Sequence, residues 1–411
     1  MADFLIEPLQ ALQFGDGRSP GEGGTARSLQ APWPQTLRGA IRAALAHRLG
    51  RLKDLVDGFD AVVEERVGGR NNLGTLDLRG PLPATRNAGD RPEIWVPLPQ
   101  DLELFEVPEP NDAFLRLLRP VAPGPGDGWM GLSDAGPVLV PMSLDQSPMA
   151  KPIGRPPRWM PWNAFLDWAA GNWDDLAVAL GSLVEDRREL FLTSEQVHVV
   201  LTKERAARSG GLFVTEHLEI AERPETAWWI ASDSLAEDEA PMSLTLGGQQ
   251  GLARMIAMPG AVPEARPGGL PDQVASSIVD SGGYLRLLVL TPALFSEGFL
   301  PEPSLLHGGQ VRAALVPGFQ AVSGSRLLEG GRAAPRAARR AVPPGSVFVV
   351  RYDSPRAAVD AARALWFTNL SSRPEDRLQG YGLIAVGGYG DAQAMDRAWD
   401  AIWGTSTGGM S

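Results

Sequence analysis

The first fifty residues constrain this chain most. Phe4-Leu5-Ile6 is a short apolar run closed by Pro8, Gly15 and Gly17 mark a loop, and Pro32 and Pro34 precede a helical pattern. Proline suits the first turn of a helix, where its missing N–H would have had no partner. Trp33, Leu37, Ile41, Leu45 and Leu49 then recur at every fourth position, which predicts one apolar helix stripe. Arg38 and Arg42 stand one position further round and flank it. Such a strand, loop and helix can open many folds that mix α and β structure.

Downstream, residues 68–158 are rich in Pro and Gly, and so long a stretch predicts short hairpins rather than a loop. Trp162, Phe165, Leu166 and Ala169 have helical spacing. Gln196–Leu201 and Leu212–Ile220 read as a hairpin whose polar turn carries Lys203, Arg205 and Arg208. Gly247-Gly248 breaks the apolar segment Leu244–Met258, and Pro259–Gly283 has the composition of a linker. The pattern then restarts: a strand at Tyr284–Leu290, an edge-type strand at Gln310–Val322 interrupted by Pro317, and a strand at Val347–Tyr352. A helix follows at Ala357–Trp366 behind Ser354-Pro355, then a strand at Gly382–Val386 ending in Gly387-Gly388. Strand, connection, two strands, helix and strand approximate the split βαβ of a ferredoxin-like fold. The expectation is an α+β chain of two tandem ferredoxin-like domains, 1–262 with long insertions and 275–411, without a sequence repeat between them.

Several chemistries are excluded. The chain has no Cys, hence no disulfide, thiolate zinc site or cysteine nucleophile, and its four His form no His-x-x-x-His pair. No Gly-Lys dipeptide occurs, which removes a P-loop, and neither Gly15-Asp16-Gly17 nor Gly380-Tyr381-Gly382 continues into Gly-x-Gly-x-x-Gly. No cofactor is expected. No apolar run reaches eighteen residues, and Met1-Ala2-Asp3 lacks the basic start of a signal peptide. The expectation is a cytoplasmic protein with no membrane partner.

The formal net charge of −11 runs against the basic footprint of a nucleic-acid binder. Its distribution is uneven, however. Residues 1–53 hold seven basic side chains, among them Arg18, Arg38 and Arg42, against four acidic ones. Residues 325–340 hold Arg326, Arg332, Arg336, Arg339 and Arg340 against Glu329 alone. Acids concentrate elsewhere, notably between Glu219 and Glu239. Separated charge of this kind suits a protein with one polyanion-binding face. A GC-rich genome accounts equally well for the preference for Arg over Lys, but not for the clustering.

The wording of the segments is more specific than their pattern. Phe4-Leu5-Ile6-Glu7-Pro8-Leu9, Phe14-Gly15-Asp16-Gly17-Arg18 and Leu37-Arg38-Gly39-Ala40-Ile41-Arg42 resemble the N-terminus of the RAMP superfamily of CRISPR effector subunits, and most of all the third-subunit family of the type III-B Cmr complex. The resemblance continues in the family's order. It runs through Leu78-Arg79-Gly80-Pro81-Leu82, Ile94-Trp95-Val96-Pro97-Leu98-Pro99, the hairpin, Leu246-Gly247-Gly248-Gln249, Leu290-Thr291-Pro292-Ala293-Leu294-Phe295, Gly345-Ser346-Val347-Phe348 and Gly380-Tyr381-Gly382-Leu383. Gln249 stands where the family has an acid, Gln10 where it commonly has Asp, and Gly15 where an Arg is more usual.

This resemblance implies RAMP-type, RRM-like domains and a non-catalytic subunit that grips the repeat-derived 5′ handle of the crRNA. It implies as partners the large palm-domain subunit and the backbone RAMP subunits, with target RNA reached through the guide. The RNA-binding candidates are Arg18, Arg38, Arg42, His198, Lys203, Arg205, Arg208, Gly247, Gly248, Arg326, Arg332, Arg336, Arg339, Arg340, Gly382, Gly387 and Gly388. Arg and Lys would hold phosphates, and glycine would admit close approach of an RNA backbone. By pattern alone Gly380–Gly388 reads as an ordinary strand end, a preference only the resemblance reverses, and His198 reads as a solvated or hydrogen-bonded surface residue. Trp159, Trp162, Trp168 and Trp173 suit base stacking, helix core or subunit contact. Two rivals stand beside this reading: a metal-independent RNA-cleaving RAMP protein using His47, His198 or Tyr284, and a scaffold that touches only protein.

Overall fold

The structure is a computed structural model that describes residues 1–16, 24–54, 61–68, 74–86, 91–107, 112–117, 119–121, 140–142, 151–154, 156–186, 189–203, 205–219, 225–248, 250–327 and 333–389. Arg18, Gln249 and Arg332 lie outside the described residues, as do the surroundings of the Arg326 side chain.

Alternation in the opening strand, Ala2–Pro8, organises the N-terminal half. Its even-numbered side chains Phe4 and Ile6 join Trp228, Ile230 and the helix residues Leu37, Ile41 and Leu45 in one core. Leu5, on the other face, joins Leu82, Ala84, Trp229 and Ala231 in a second core. The helix runs from Pro34 to Arg48 with Pro in its first turn and His47 and Arg48 in its last, where positive charge opposes the helix dipole. Leu49 is its C-cap and is half exposed.

The first sheet has seven strands, in the order Trp159–Pro161, Glu93–Pro97, Arg79–Arg86, Glu225–Ser232, Ala2–Pro8, Gly251–Ala257 and Met242–Leu246. Every neighbouring pair is antiparallel. Counting Ala2–Pro8, Arg79–Arg86, Glu225–Ser232 and Gly251–Ala257 along the chain, their spatial order is 4-1-3-2. The crossover between the last two holds a three-residue 3-10 turn, Glu237–Glu239, and the edge strand Met242–Leu246.

In the C-terminal half the strands Tyr284–Val289, Gln310–Leu315, Val347–Arg351 and Ile384–Gly387 form a four-stranded antiparallel sheet, again ordered 4-1-3-2. Here the second crossover is a helix, Pro355–Leu365, capped by Ser354 Oγ accepting from Ala357 N at 3.1 Å. The mixed α+β class and antiparallel sheets agree with the sequence reading.

The interval expected to be a linker is structured. It contains the helix Asp272–Asp280, whose Val274 and Ile278 are buried, and Val262 and Ala265 are buried ahead of it. The reason is the second face of the first sheet. Leu5, Leu82 and Trp229 share one continuous core with Val274, Ile278, the second sheet and Trp366. Trp229 meets Phe367 edge-on at 6.5 Å. A segment spanning a shared core is covered by side chains from both halves and folds with them.

Candidate nucleic-acid interface

The loop that follows the opening strand ties three of the recognised motifs together. Leu12 exchanges backbone hydrogen bonds with Leu218 at the base of the central hairpin, 2.7 and 3.0 Å, and Val214 N donates to Gly24 O at 3.2 Å. Gly248 N donates to Gln13 O at 3.0 Å. Gly247 has φ +86°, and a Cβ there would stand 2.7 Å from that same carbonyl, so only glycine makes this turn against the loop. Further along, Trp33 Nε1 donates to Gly15 O at 3.0 Å. Trp33 in turn packs with Val322, Ala341, Leu294 and Tyr381, where Val322 and Ala341 belong to the arginine-rich segment. The N-terminal loop therefore lies between the hairpin, the Gly-Gly turn and the arginine segment.

The hairpin is longer than its sequence pattern, Leu192–Leu201 paired with Ala207–Glu219. Its turn closes through Thr202 N to Ala206 O, 2.8 Å, and Arg205 N to Thr202 O, 3.0 Å, with Arg205 at φ +59°. Lys203, Arg205 and Arg208 are all exposed there. Lower down, His198 stacks on Phe213 at 5.2 Å and its Nε2 lies 2.8 Å from Thr215 Oγ1. The same hydroxyl lies 2.9 Å from Nε2 of buried His217. The Thr215 hydroxyl thus bridges the two imidazole rings, a group able both to donate and to accept. Burial, then the neighbouring His198, pushes the His217 imidazole below its ordinary range, with Glu219 pulling the other way.

The arginine segment is a two-stranded arm, Gln320–Val322 on Arg339–Ala341 and Ser325–Leu327 on Ala333–Pro335. Arg339 is committed within it: Nη1 and Nη2 each donate to a different Asp376 carboxylate oxygen at 2.7 Å. That bond, outweighing partial burial, raises the Arg339 pKa. Arg336 and Arg340 are exposed. Arg340 rests over the Phe319 ring at 5.0 Å. Beside the arm opens a cleft of about 1100 Å³ lined in part by Gln35, Arg336, Arg339, Arg373, Glu64 and Glu375.

Other candidates are internal. Arg38 is buried and its Nε donates to Leu76 O at 2.8 Å, while Arg42 Nη2 donates to Gly68 O at 2.8 Å. Desolvation, reinforced by Arg42, lowers the Arg38 pKa to about 10. Both side chains fasten the chain after the first helix back onto it. Residues 381–389 are buried. A Cβ on Gly382, φ +77°, would lie 2.7 Å from Ser371 N, one on Gly387 2.8 Å from Ala169 Cα, and one on Gly388 2.4 Å from the Ser277 carbonyl carbon. These three glycines admit close approach of protein, not of a ligand on the surface.

Trp168 is fully enclosed, and Trp159, Trp162 and Trp173 are half-buried against the cores. Trp33, Gln13 and Tyr381 carry the junctions between motifs, which sequence reasoning missed. Two of these act through backbone or packing, and only the tight spacing of glycines around them hinted at close contact. Among the described residues no three His, Asp or Glu side chains converge as a metal site would. Among them also, no helix is long and apolar enough to cross a membrane.

The family model Cas_Cmr3, described as CRISPR-associated protein, matches residues 4–389. The chain belongs to the Cas_Cmr3 family. Membership makes it a subunit of the type III-B Cmr class, in the context of a CRISPR ribonucleoprotein. No curated protein matches the chain. Among solved structures it is similar to a chain of type III-B Cmr-beta bound to cognate target RNA and AMPPnP, at 14% identity and TM-score 0.42, covering 84% of this chain and 86% of that one. A chain of Cmr-beta bound to cognate target RNA matches with 14% identity, the same coverage and TM-score 0.41. A chain of the Csm3-Csm4 subcomplex of the type III-A interference complex matches at 12% identity and TM-score 0.35, covering 86% and 93%. At these similarities the family match alone carries the assignment.

Proposed function

We propose that this Cas_Cmr3-family chain is the non-catalytic crRNA-binding subunit of a type III-B effector. In this reading it grips the repeat-derived 5′ handle and joins the large palm-domain subunit to the backbone subunits. One observation supports it above the others: the N-terminal loop contacts the bases of both cation-bearing projections, at Leu218 for the hairpin and through Trp33 for the arm. Lys203, Arg205 and Arg208 on one projection and Arg336 and Arg340 on the other are exposed in a chain of net charge −11. Such local excesses are where a polyanion is held. The 4-1-3-2 order in both sheets supports two ferredoxin-like modules, 1–262 and 275–411, packed on a shared core. For the non-catalytic part, the support is placement: His47 ends the first helix, Tyr284 is buried in the second sheet, and His198 is stacked and hydrogen-bonded in the hairpin.

The test is assembly of the Cmr subunits with crRNA across a salt series. Each phosphate contact removed by an Arg→Ala or Lys→Ala change lowers the magnitude of the log-log salt slope by roughly 0.7, nearly independently of handle sequence. Unchanged affinity and slope after replacing both groups, five cations in all, would overturn the reading. So would specific RNA cleavage by the purified chain that His198→Ala abolishes.

A further inference from the structure

The two strands at the base of the arm have unlike faces. Val322 and Arg339 are directly paired, one buried with Trp33 and the other held by Asp376, so this face looks into the protein. Ala321 and Arg340 are the next pair, and they look outward together with Phe319, two residues before Ala321. Phe319 is 59% exposed. Among the residues of described burial every Trp and Tyr is buried or half-buried, and the other exposed Phe, Phe299, is 40% exposed.

A single exposed aromatic ring needs no explanation by itself. This one, however, carries a guanidinium 5.0 Å from its centroid, and among the described residues no carboxylate holds Arg340 or Arg336. Residues 318–341 hold five Arg and one acid, Glu329. An exposed ring beside a guanidinium that no described carboxylate holds is what an unpaired nucleobase and its flanking phosphate would recognise.

Resting on the RNA-binding reading above, we infer that Phe319 is a stacking platform for one unpaired base of the bound RNA, with Arg340 on the adjacent phosphate. The base covers the open part of the ring. Arg340, already laid against the ring, needs little reordering to reach the backbone next to it. A protein partner would favour an apolar surround for the ring, and the outer face offers Ala321 and arginine instead.

The complete complex, assembled with crRNAs carrying a photoreactive uridine at one handle position at a time, provides the test. Crosslinks mapped by mass spectrometry should place one handle position on the peptide containing Phe319. Phe319→Ala should weaken crRNA binding by roughly 5- to 150-fold, as loss of one base–aromatic stack does, with the salt slope unchanged. Phe319→Trp should retain binding, and Arg340→Ala should lower both the affinity and the slope. If Phe319→Ala binds crRNA like the parent while Arg336→Ala and Arg340→Ala still weaken it, the platform is wrong and the RNA reading stands. If none of the three matters, the arm is no RNA contact and both ideas fail there. Weakened association of the protein subunits without RNA in Phe319→Ala would make the ring a protein contact and overturn the inference.

Discussion

Arg286 holds Asp101 across the two halves of the molecule, Nη1 to carboxylate at 2.9 Å, with both side chains enclosed. The guanidinium lies 4.1 Å from the Trp168 ring and 4.9 Å from that of Tyr389, and it also donates to Gly388 O and Trp168 O. Trp168 Nε1 donates to the other Asp101 oxygen at 3.0 Å. Burial raises the Asp101 pKa, and Arg286 opposes that rise. A pair so enclosed is costly to break and cheap to replace as a unit. Asp101→Ala should destabilise the protein by about 3–5 kcal/mol. The double change Asp101→Leu with Arg286→Met should cost less than either single change, as read from denaturant midpoints.

Gly380 couples the halves by close approach. It caps the short helix Pro374–Gln379 at φ +99°, and a Cβ there would sit 2.6 Å from Gly80 O. Gly380→Ala should therefore cost about 2 kcal/mol or more, from both left-handed backbone and clash. Gly260→Ala is the control: φ is +66° but nothing lies within 4 Å, so its loss should be the smaller in thermal unfolding.

His217 makes stability pH-dependent. Its folded pKa lies below the ordinary 6.5, so between the two values the unfolded chain binds more protons. This contribution is complete above about pH 6.5, is lost as pH falls through that value, and levels off below the folded pKa. Its slope is at most about 1.4 kcal/mol per pH unit. Subtracting the stability curve of His217→Gln from that of the parent isolates it; a flat difference between pH 5 and 7 would contradict it.

Neighbouring arginines of the arm should behave oppositely. Arg339→Ala strands a nearly buried Asp376 and should lower stability by about 1–2 kcal/mol, discounted because Arg339 itself is one-third exposed. Arg336→Ala should leave the melting temperature unchanged and reduce the salt slope of crRNA assembly by roughly 0.7.

Much of the fold was legible because its signals are local. The four-residue recurrence of Leu37, Ile41 and Leu45 and the Ser354-Pro355 start each specify an element within one or two turns. The apolar run Phe4-Leu5-Ile6 closed by Pro8 does the same for the opening strand. The family's motifs were likewise readable in order along the chain. Tertiary structure alone decided what each charged or glycine position does. Arg38 has a flanking position on its helix, yet Leu76 folds over it and takes its hydrogen bond. Arg339 and Arg340 are adjacent in sequence, and strand pleating sends one to Asp376 and the other over Phe319. Gly387 and Gly388 look like a ligand loop until Ala169 and Ser277 are placed against them. Periodicity determines which side of an element a residue occupies, because that depends only on backbone geometry. What covers that side comes from residues tens to hundreds of positions away, and only packing of the two halves on one core brings them there.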